Sequence, residues 1–289
     1  MNIEQTPLII NAALTGMVPT KADNPALPIT PEEIAEDAAR CVHAGASILH
    51  LHARDEKGRP TYRAEVYAKI IAAIREHSPD AMVCVSTSGR TFKSFEERSQ
   101  VLWLEGDLKP ELASLTLGSL NFPKQASINE PEMIHSLAAC MTERGIVPEL
   151  EVFDFGMVDY AKTLLDRGVL RTPLYFNLLL GSLGTLSATP VHLAALAAAL
   201  PDGSTWSGAG IGRFQFFVNS MAITMGGNVR VGLEDNLWLD THKQRLASNA
   251  ELVERLAQLA RAAGREIARP DEARALIGLP ARSPTQVTS

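Results

Sequence analysis

The chain has 289 residues, with 46% hydrophobic and 21% charged side chains and a formal charge of −6, a composition typical of a soluble globular protein with room for one large domain. The mild acidity is spread along the sequence, and no basic stripe with interleaved aromatics occurs, which argues against a nucleic-acid partner. The opening "MNIEQTPLII" lacks the basic region and long apolar core of a secretory signal, no apolar run nears the roughly 20 residues of a bilayer span, and Cys41, Cys84 and Cys140 show no CxxC spacing, so free thiols in a reducing cytoplasm are expected.

Residues 7–16, "PLIINAALTG", read as a strand. Residues 30–45 predict a helix: Thr30 can cap it, Glu33 can complete a capping box, Pro31 takes the first helical position and Gly45 closes it. A strand at 47–53 ("SILHLHA") and a helix at 62–78 follow, then a strand at 81–89 with a helix at 94–104, and a strand at 112–119 with a helix at 130–145. Four more pairs complete the alternation: strand 147–154 with helix 157–168, 173–181 with 189–200, 204–212 with 214–227, and 228–235 with 247–267. Short β-rich runs separated by helices imply parallel pairing through right-handed crossovers. Eight such units point to a (β/α)8 TIM barrel, one catalytic domain over residues 1–280. A short docked helix is expected at 271–279, and the polar residues 281–289 should form a loose tail.

In a barrel of this kind, reactive groups gather at the C-terminal ends of the strands. His50 and His52 close the second strand, and alternation puts both on one face, about 7 Å apart at Cα. Two readings stay open: one imidazole packed in the core with the other at the surface, or a pair gripping one divalent cation. In "NVRVGLEDN", Arg230 and Glu234 share strand parity, and Asp235 and Asn236 open the following loop. A carboxylate joining two histidines gives a zinc-type ligand set with open positions, which also suits Fe(II). Taken alone, "LED" reads more simply as a helix-start carboxylate.

Other strand ends carry polar groups: Asn11 and Thr15; Ser86, Thr87, Ser88 and Gly89; Thr116, Ser119 and Asn121. Hydroxyls and amides near glycine can cradle a carboxylate, although the same residues are ordinary turn formers. Cys84 shares parity with Ser86 and is expected to fill the core. In "SGAGIGR", Gly208, Gly210 and Gly212 would let backbone amides approach a phosphate of a cofactor, or simply allow a tight turn.

Taken in order, "LTG", "NPALPITPEEIAEDAARCVHAGASILHLHARD", "VSTSGR", "ASLTLGSLNF", "ELEVFDFG" and "VRVGLEDN" resemble the β-keto acid cleavage enzymes. The resemblance runs from about residue 7 to residue 279, and "HLHARD" with "GLEDN" is specific in combination. It implies a barrel with one zinc ion (Zn2+) per chain, a homotetramer, and acetyl-CoA as co-substrate. The implied reaction converts a small-molecule β-keto acid and acetyl-CoA into acetoacetate and a new acyl-CoA. By motif, His50, His52 and Glu234 would hold the zinc, Ser86, Gly89 and Thr116 would bind the substrate carboxylate, and Asp235, coupled to Arg230, would act as the base. Family members that act on the amino-bearing substrate 3-keto-5-aminohexanoate resemble "TGAE", whose glutamate pairs with the ammonium group. This chain has "TGMVP", with Val18 at that position. A valine leaves an ammonium unpaired, so a substrate without the 5-amino group is expected.

Two rivals make different demands. A barrel metallohydrolase of the amidohydrolase type also uses an HxH pair, but it needs further histidines on strands five and six, and "ELEVFD" and "LYFNLLL" contain none. A non-catalytic metal-binding barrel would make Arg230, Glu234 and Asp235 an ordinary ion-pair cluster.

Overall fold

Strand and helix segments alternate as the sequence predicts, and the strands close on themselves. The computed structural model describes residues 6–123 and 125–282. Its barrel strands are β1 (Ile10–Ala13), β2 (Ile48–Leu51), β3 (Met82–Val85), β4 (Leu112–Thr116), β5 (Val147–Val152), β6 (Tyr175–Leu180), β7 (Thr205–Gly210) and β8 (Asn228–Val231). Each pairs in parallel with its sequence neighbour, and β8 with β1 closes the (β/α)8 TIM barrel. The helices are α1 (Pro31–Ala44), α2 (Ala64–His77), α3 (Phe95–Ser99), α4 (Pro131–Glu143), α5 (Phe155–Asp166), α6 (Pro190–Ala199), α7 (Gln215–Thr224), α8 (Asn249–Ala262) and α9 (Pro270–Leu276). The capping box at Thr30 and Glu33 forms, and Gly45 ends α1 at a φ of 119°.

Two local features depart from the sequence reading. Residues 94–104 do not form one helix: α3 stops at Ser99 and tightens into a 3-10 turn over Gln100–Trp103. There the Gln100 side chain turns away to accept the Ala64 amide at the start of α2 (2.8 Å). The second is a small antiparallel hairpin after β4, pairing Leu120–Asn121 with Ala126–Ser127.

Strand alternation sorts the barrel interior into layers. Ile9, Ile48, Met82, Leu112 and Tyr175 pack together at the N-terminal end, where Ala273 and Ile277 at the last helix plug the bottom. Two residues further along most strands the side chains turn polar: Asn11, His50, Glu149, Asn177, Ser207 and Arg230 are all essentially inaccessible. A TIM-barrel interior is ordinarily a packed aliphatic core, and buried polar groups destabilise unless partnered. This layer is therefore a costly feature of the fold, and it lies directly beneath the C-terminal ends of the strands. Among the described residues no helix is long and apolar enough to cross a membrane, and the three cysteines are free and buried. Of the expected tail at 281–289, residues 283–289 lie outside the described residues.

Candidate active site

His50 on β2 and His52, just past its end, meet on the inner face, with ring centroids 5.3 Å apart. His50 is fully buried, and its Nδ1 lies 2.7 Å from Glu149 Oε2 on β5. Glu149 in turn accepts from Asn11 Nδ2 at 2.5 Å. This chain of contacts directs Nδ1 to the carboxylate and leaves Nε2 as the free ring position. His50 Nε2 is buried and has no hydrogen-bond partner. His52 Nε2 lies 3.2 Å from Glu234 Oε1. The other oxygen, Glu234 Oε2, is likewise buried without a hydrogen bond, 3.7 Å from His50 Nε2.

Glu234 reaches this point through a turn and not through continued strand. β8 ends at Val231, and at Gly232 a Cβ would overlap the carbonyl of Ala13. The close approach lets the Glu234 amide donate to Ala13 O (3.2 Å), fixing the loop to β1. Gly16, at a φ of 66°, covers the other side, where a Cβ would stand 2.8 Å from Glu234 Cγ. Arg230 sits below the turn and holds it together. Its Nε donates to Asp235 Oδ2 (3.0 Å), its Nη2 to Glu234 Oε1 (2.9 Å) and its Nη1 to Glu151 Oε1 (3.2 Å).

The charges do not balance. Glu149, Glu151, Glu234 and Asp235 all lie within ion-pair distance of the single Arg230 guanidinium. An excess of buried negative charge beside two imidazoles fits a divalent cation. One nitrogen or oxygen from each of His50, His52 and Glu234 comes within 4.8 Å of the others, and two of these residues carry the orphaned atoms just described. His, His and carboxylate suit zinc, so the donor set fits the metal that the family resemblance implies. A second group, His50, Cys84 and Glu149, also meets this spacing. It offers the Nδ1 already engaged by Glu149, and Cys84, level with His50 in the strand register, is fully buried against the apolar layer below, as the core filler expected of it.

Burial opposes charge on both imidazoles. At His50 the Glu149 and Glu234 carboxylates prevail and the pKa rises, whereas at His52 burial prevails and it falls. Burial would also raise Glu149, but His50, Arg230 and Asn11 hold its carboxyl down at about 2. Asp235 is shifted upward by burial, reinforced by Glu234 and opposed by Arg230.

Above these groups opens a cavity of about 660 Å³, with His52, Arg230, Glu234 and Asp235 on its wall. Met17, Val18, Phe153, Leu179 and Ile211 make an apolar side, and the hairpin contributes Phe122 and Gln125. Of the residues read as a carboxylate cradle, Ser86 and Thr116 line the cavity. Thr116 Oγ1 donates to Glu151 Oε2 (2.6 Å). Gly89 is not on the wall. Its α-carbon packs so closely on Ile128 O that no side chain fits. Thr87 is turned away, donating to Ser114 O (2.6 Å).

The glycines read as phosphate contacts have other structural tasks. A Cβ at Gly210 would overlap the backbone of Phe214, so this residue lets α7 approach the strand. Gly212 lines the cavity, but its amide donates to Asp235 O (2.7 Å) and is not open to a phosphate. Sequence reasoning passed over Glu149 and Glu151. The signal was available, since their i and i+2 placement on β5 is the same same-face pattern that singled out the histidines.

Glu149 orients His50, and that role is measurable. Carboxylates behind a metal-binding histidine contribute about 10–100-fold to metal affinity. Glu149→Gln is therefore expected to weaken retention of an added divalent cation by a factor in that range in competition with a chromogenic chelator. Undiminished retention would show that the His50 contact has no orienting role.

A family model described as beta-keto acid cleavage enzyme matches residues 7–279. The chain is 45% identical over 274 residues to the 3-keto-5-aminohexanoate cleavage enzyme of Fusobacterium nucleatum, covering 94% of this chain and 98% of that one. It is 40% identical over 281 residues to the 3-oxoadipate:acetyl-CoA acetyltransferase of Cupriavidus necator, covering 95% of each. Among solved structures, apo ObcA superposes with a TM-score of 0.79 at 25% identity, covering 88% of this chain and 66% of that one.

Proposed function

The chain belongs to the β-keto acid cleavage enzyme family, and we propose that it converts a β-keto acid and acetyl-CoA into acetoacetate and a new acyl-CoA, using one zinc ion per chain. One observation carries the reading. His50 Nε2 and Glu234 Oε2 are orphaned side by side at the floor of a substrate-sized cavity, next to a carboxylate clamped by Arg230. His50, His52 and Glu234 would hold the metal, which when bound supplies a Lewis acid to a ketone oxygen.

Asp235 takes the C2 proton of the β-keto acid. Two bonds from Arg230, 3.0 and 3.4 Å, keep its carboxylate facing the cavity during that transfer. The C2 enolate attacks the acetyl thioester, forming a carbon–carbon bond and releasing CoA thiolate. The thiolate adds to the original ketone carbon, and the bond from that carbon to C2 breaks. Acyl-CoA and the acetoacetate enolate result, and Asp235 returns the proton. Ser86 and Thr116 at the wall are the hydroxyls assigned to the substrate carboxylate, with Gly89 shaping the loop between them. Gly212 remains a wall contact for CoA in this reading. The exposed apolar residues Val191, Phe216 and Phe217 on α6 and α7 support the homotetramer, and the free cysteines support a cytoplasmic setting.

Val18 and Met17 on the cavity wall support a substrate without the 5-amino group. Leaving an ammonium unpaired beside them costs enough to lower kcat/KM by at least about tenfold. Assayed with zinc and acetyl-CoA, 3-oxohexanoate should outperform 3-keto-5-aminohexanoate by that margin, with acetoacetate and acyl-CoA appearing together. Preference for the amino acid would overturn the substrate assignment. Hydrolysis without CoA would overturn the acyl transfer itself.

A further inference from the structure

Two guanidinium groups line the cavity, and they are in opposite situations. Arg230 is saturated by carboxylates. Arg90 has no ion-pair partner among the described residues, and its Nε is buried with no hydrogen bond. Glu234, Glu151 and Asp235 act on it only through space.

Arg90 is nevertheless held firmly. Its guanidinium lies 3.7 Å over the Phe122 ring of the hairpin. Its amide donates to Ser88 Oγ (3.2 Å), and its carbonyl accepts from Lys93 Nζ (3.3 Å) and Gln125 Nε2 (3.4 Å). Eight residues further along the chain, Arg98 donates to Thr87 O (2.7 Å) and to Asn129 Oδ1 (2.7 Å), tying this loop to the far end of the hairpin. A stacked, unpaired cation on a braced loop is pre-organised for an anion, with little conformational entropy left to lose on binding.

The cavity needs such a group. A β-keto acid brings a carboxylate to a wall that already presents Glu151, Glu234 and Asp235. The hydroxyls assigned to it, Ser86 and Thr116, bring no charge to offset these three, and Thr116 Oγ1 already donates to Glu151. We propose that Arg90 supplies the positive charge for the β-keto acid carboxylate that the Ser86 and Thr116 hydroxyls receive, closing a charge-assisted pair with it, and that it makes the enzyme select free acids over neutral β-keto esters. This rests on the cavity being the β-keto acid site.

Zinc-loaded enzyme is titrated calorimetrically with acetoacetate and with methyl acetoacetate, its neutral ester. The wild type should favour the acid by about tenfold or more, and Arg90→Gln should bind the acid about 10- to 100-fold more weakly with little change for the ester. Arg90→Lys should restore part of the loss by returning the charge without the planar fork. In turnover, KM for the β-keto acid should rise in Arg90→Gln while KM for acetyl-CoA stays within about threefold. A rise confined to acetyl-CoA would assign Arg90 to a CoA phosphate and overturn the proposal, as would equal binding of acetoacetate by wild type and Arg90→Gln. If acetoacetate binding falls as stated but no β-keto acid is cleaved by either protein, the receptor stands and the cleavage reading fails.

Discussion

Replacing His50 and His52 together by alanine should empty the metal site and stop turnover, with kcat/KM falling by about 10⁴-fold or more. The expectation follows from the donor count. Once both imidazoles are gone, Glu234 is the sole remaining member of the three-residue set, and one carboxylate does not hold zinc at the concentrations of an assay. The fold should survive. Glu149 loses its His50 contact, but it keeps Asn11 as a donor and lies 3.6 Å from Arg230 Nη1. The buried carboxylate is therefore not left unpaired, which is what would make the change severely destabilising. Metal content by elemental analysis, a thermal melt and acyl-CoA formation are measured on one preparation. A folded, metal-free variant without activity is the expected result, and retained turnover in metal-free protein would remove the basis for the proposed chemistry.

How much of this site could be read beforehand differs from residue to residue. The histidine pair was legible because strand alternation is rigid: two imidazoles at i and i+2 before a loop can only share a face. The eight strand–helix units were legible for a similar reason, since short apolar runs alternate with helical segments, some of which carry their own start signal, as in the capping box at Thr30 and Glu33. Glu234 was found through parity with Arg230, yet the strand ends at Val231 and Gly232 breaks it, so the residue arrives by a turn bonded to Ala13. That placement depends on contact between the first and last strands, which no local pattern encodes. Glu149 and Glu151 looked like ordinary strand carboxylates because their meaning lies in His50 and Arg230, 99 and 79 residues away. The hairpin after β4 has strands of two residues, too short for a periodicity to register. The glycines near 210 illustrate the converse. Their type signalled close backbone approach correctly, but the approaching group is the protein's own α7 or Asp235.

Asp235→Asn should lower kcat by about 10²–10⁴-fold, the range of a lost general base, while zinc content and KM for the β-keto acid change little. Asp235 is not in the three-residue ligand set, so removing its charge should leave the metal in place. An amide oxygen can still accept from Arg230 Nε, preserving the turn that presents Glu234, but it cannot take a proton from C2. The split between kcat and the other two quantities carries the assignment. A merely structural Asp235 would lose zinc along with activity, because the loop holding Glu234 would loosen. Replacing Arg230 should produce that second pattern, since its guanidinium bonds Glu234, Asp235 and Glu151 at once. Asp235→Asn with kcat within about threefold of wild type would assign the proton transfer elsewhere. Glu151 would then be the first group to test, since it lies on the same cavity wall and shares Arg230.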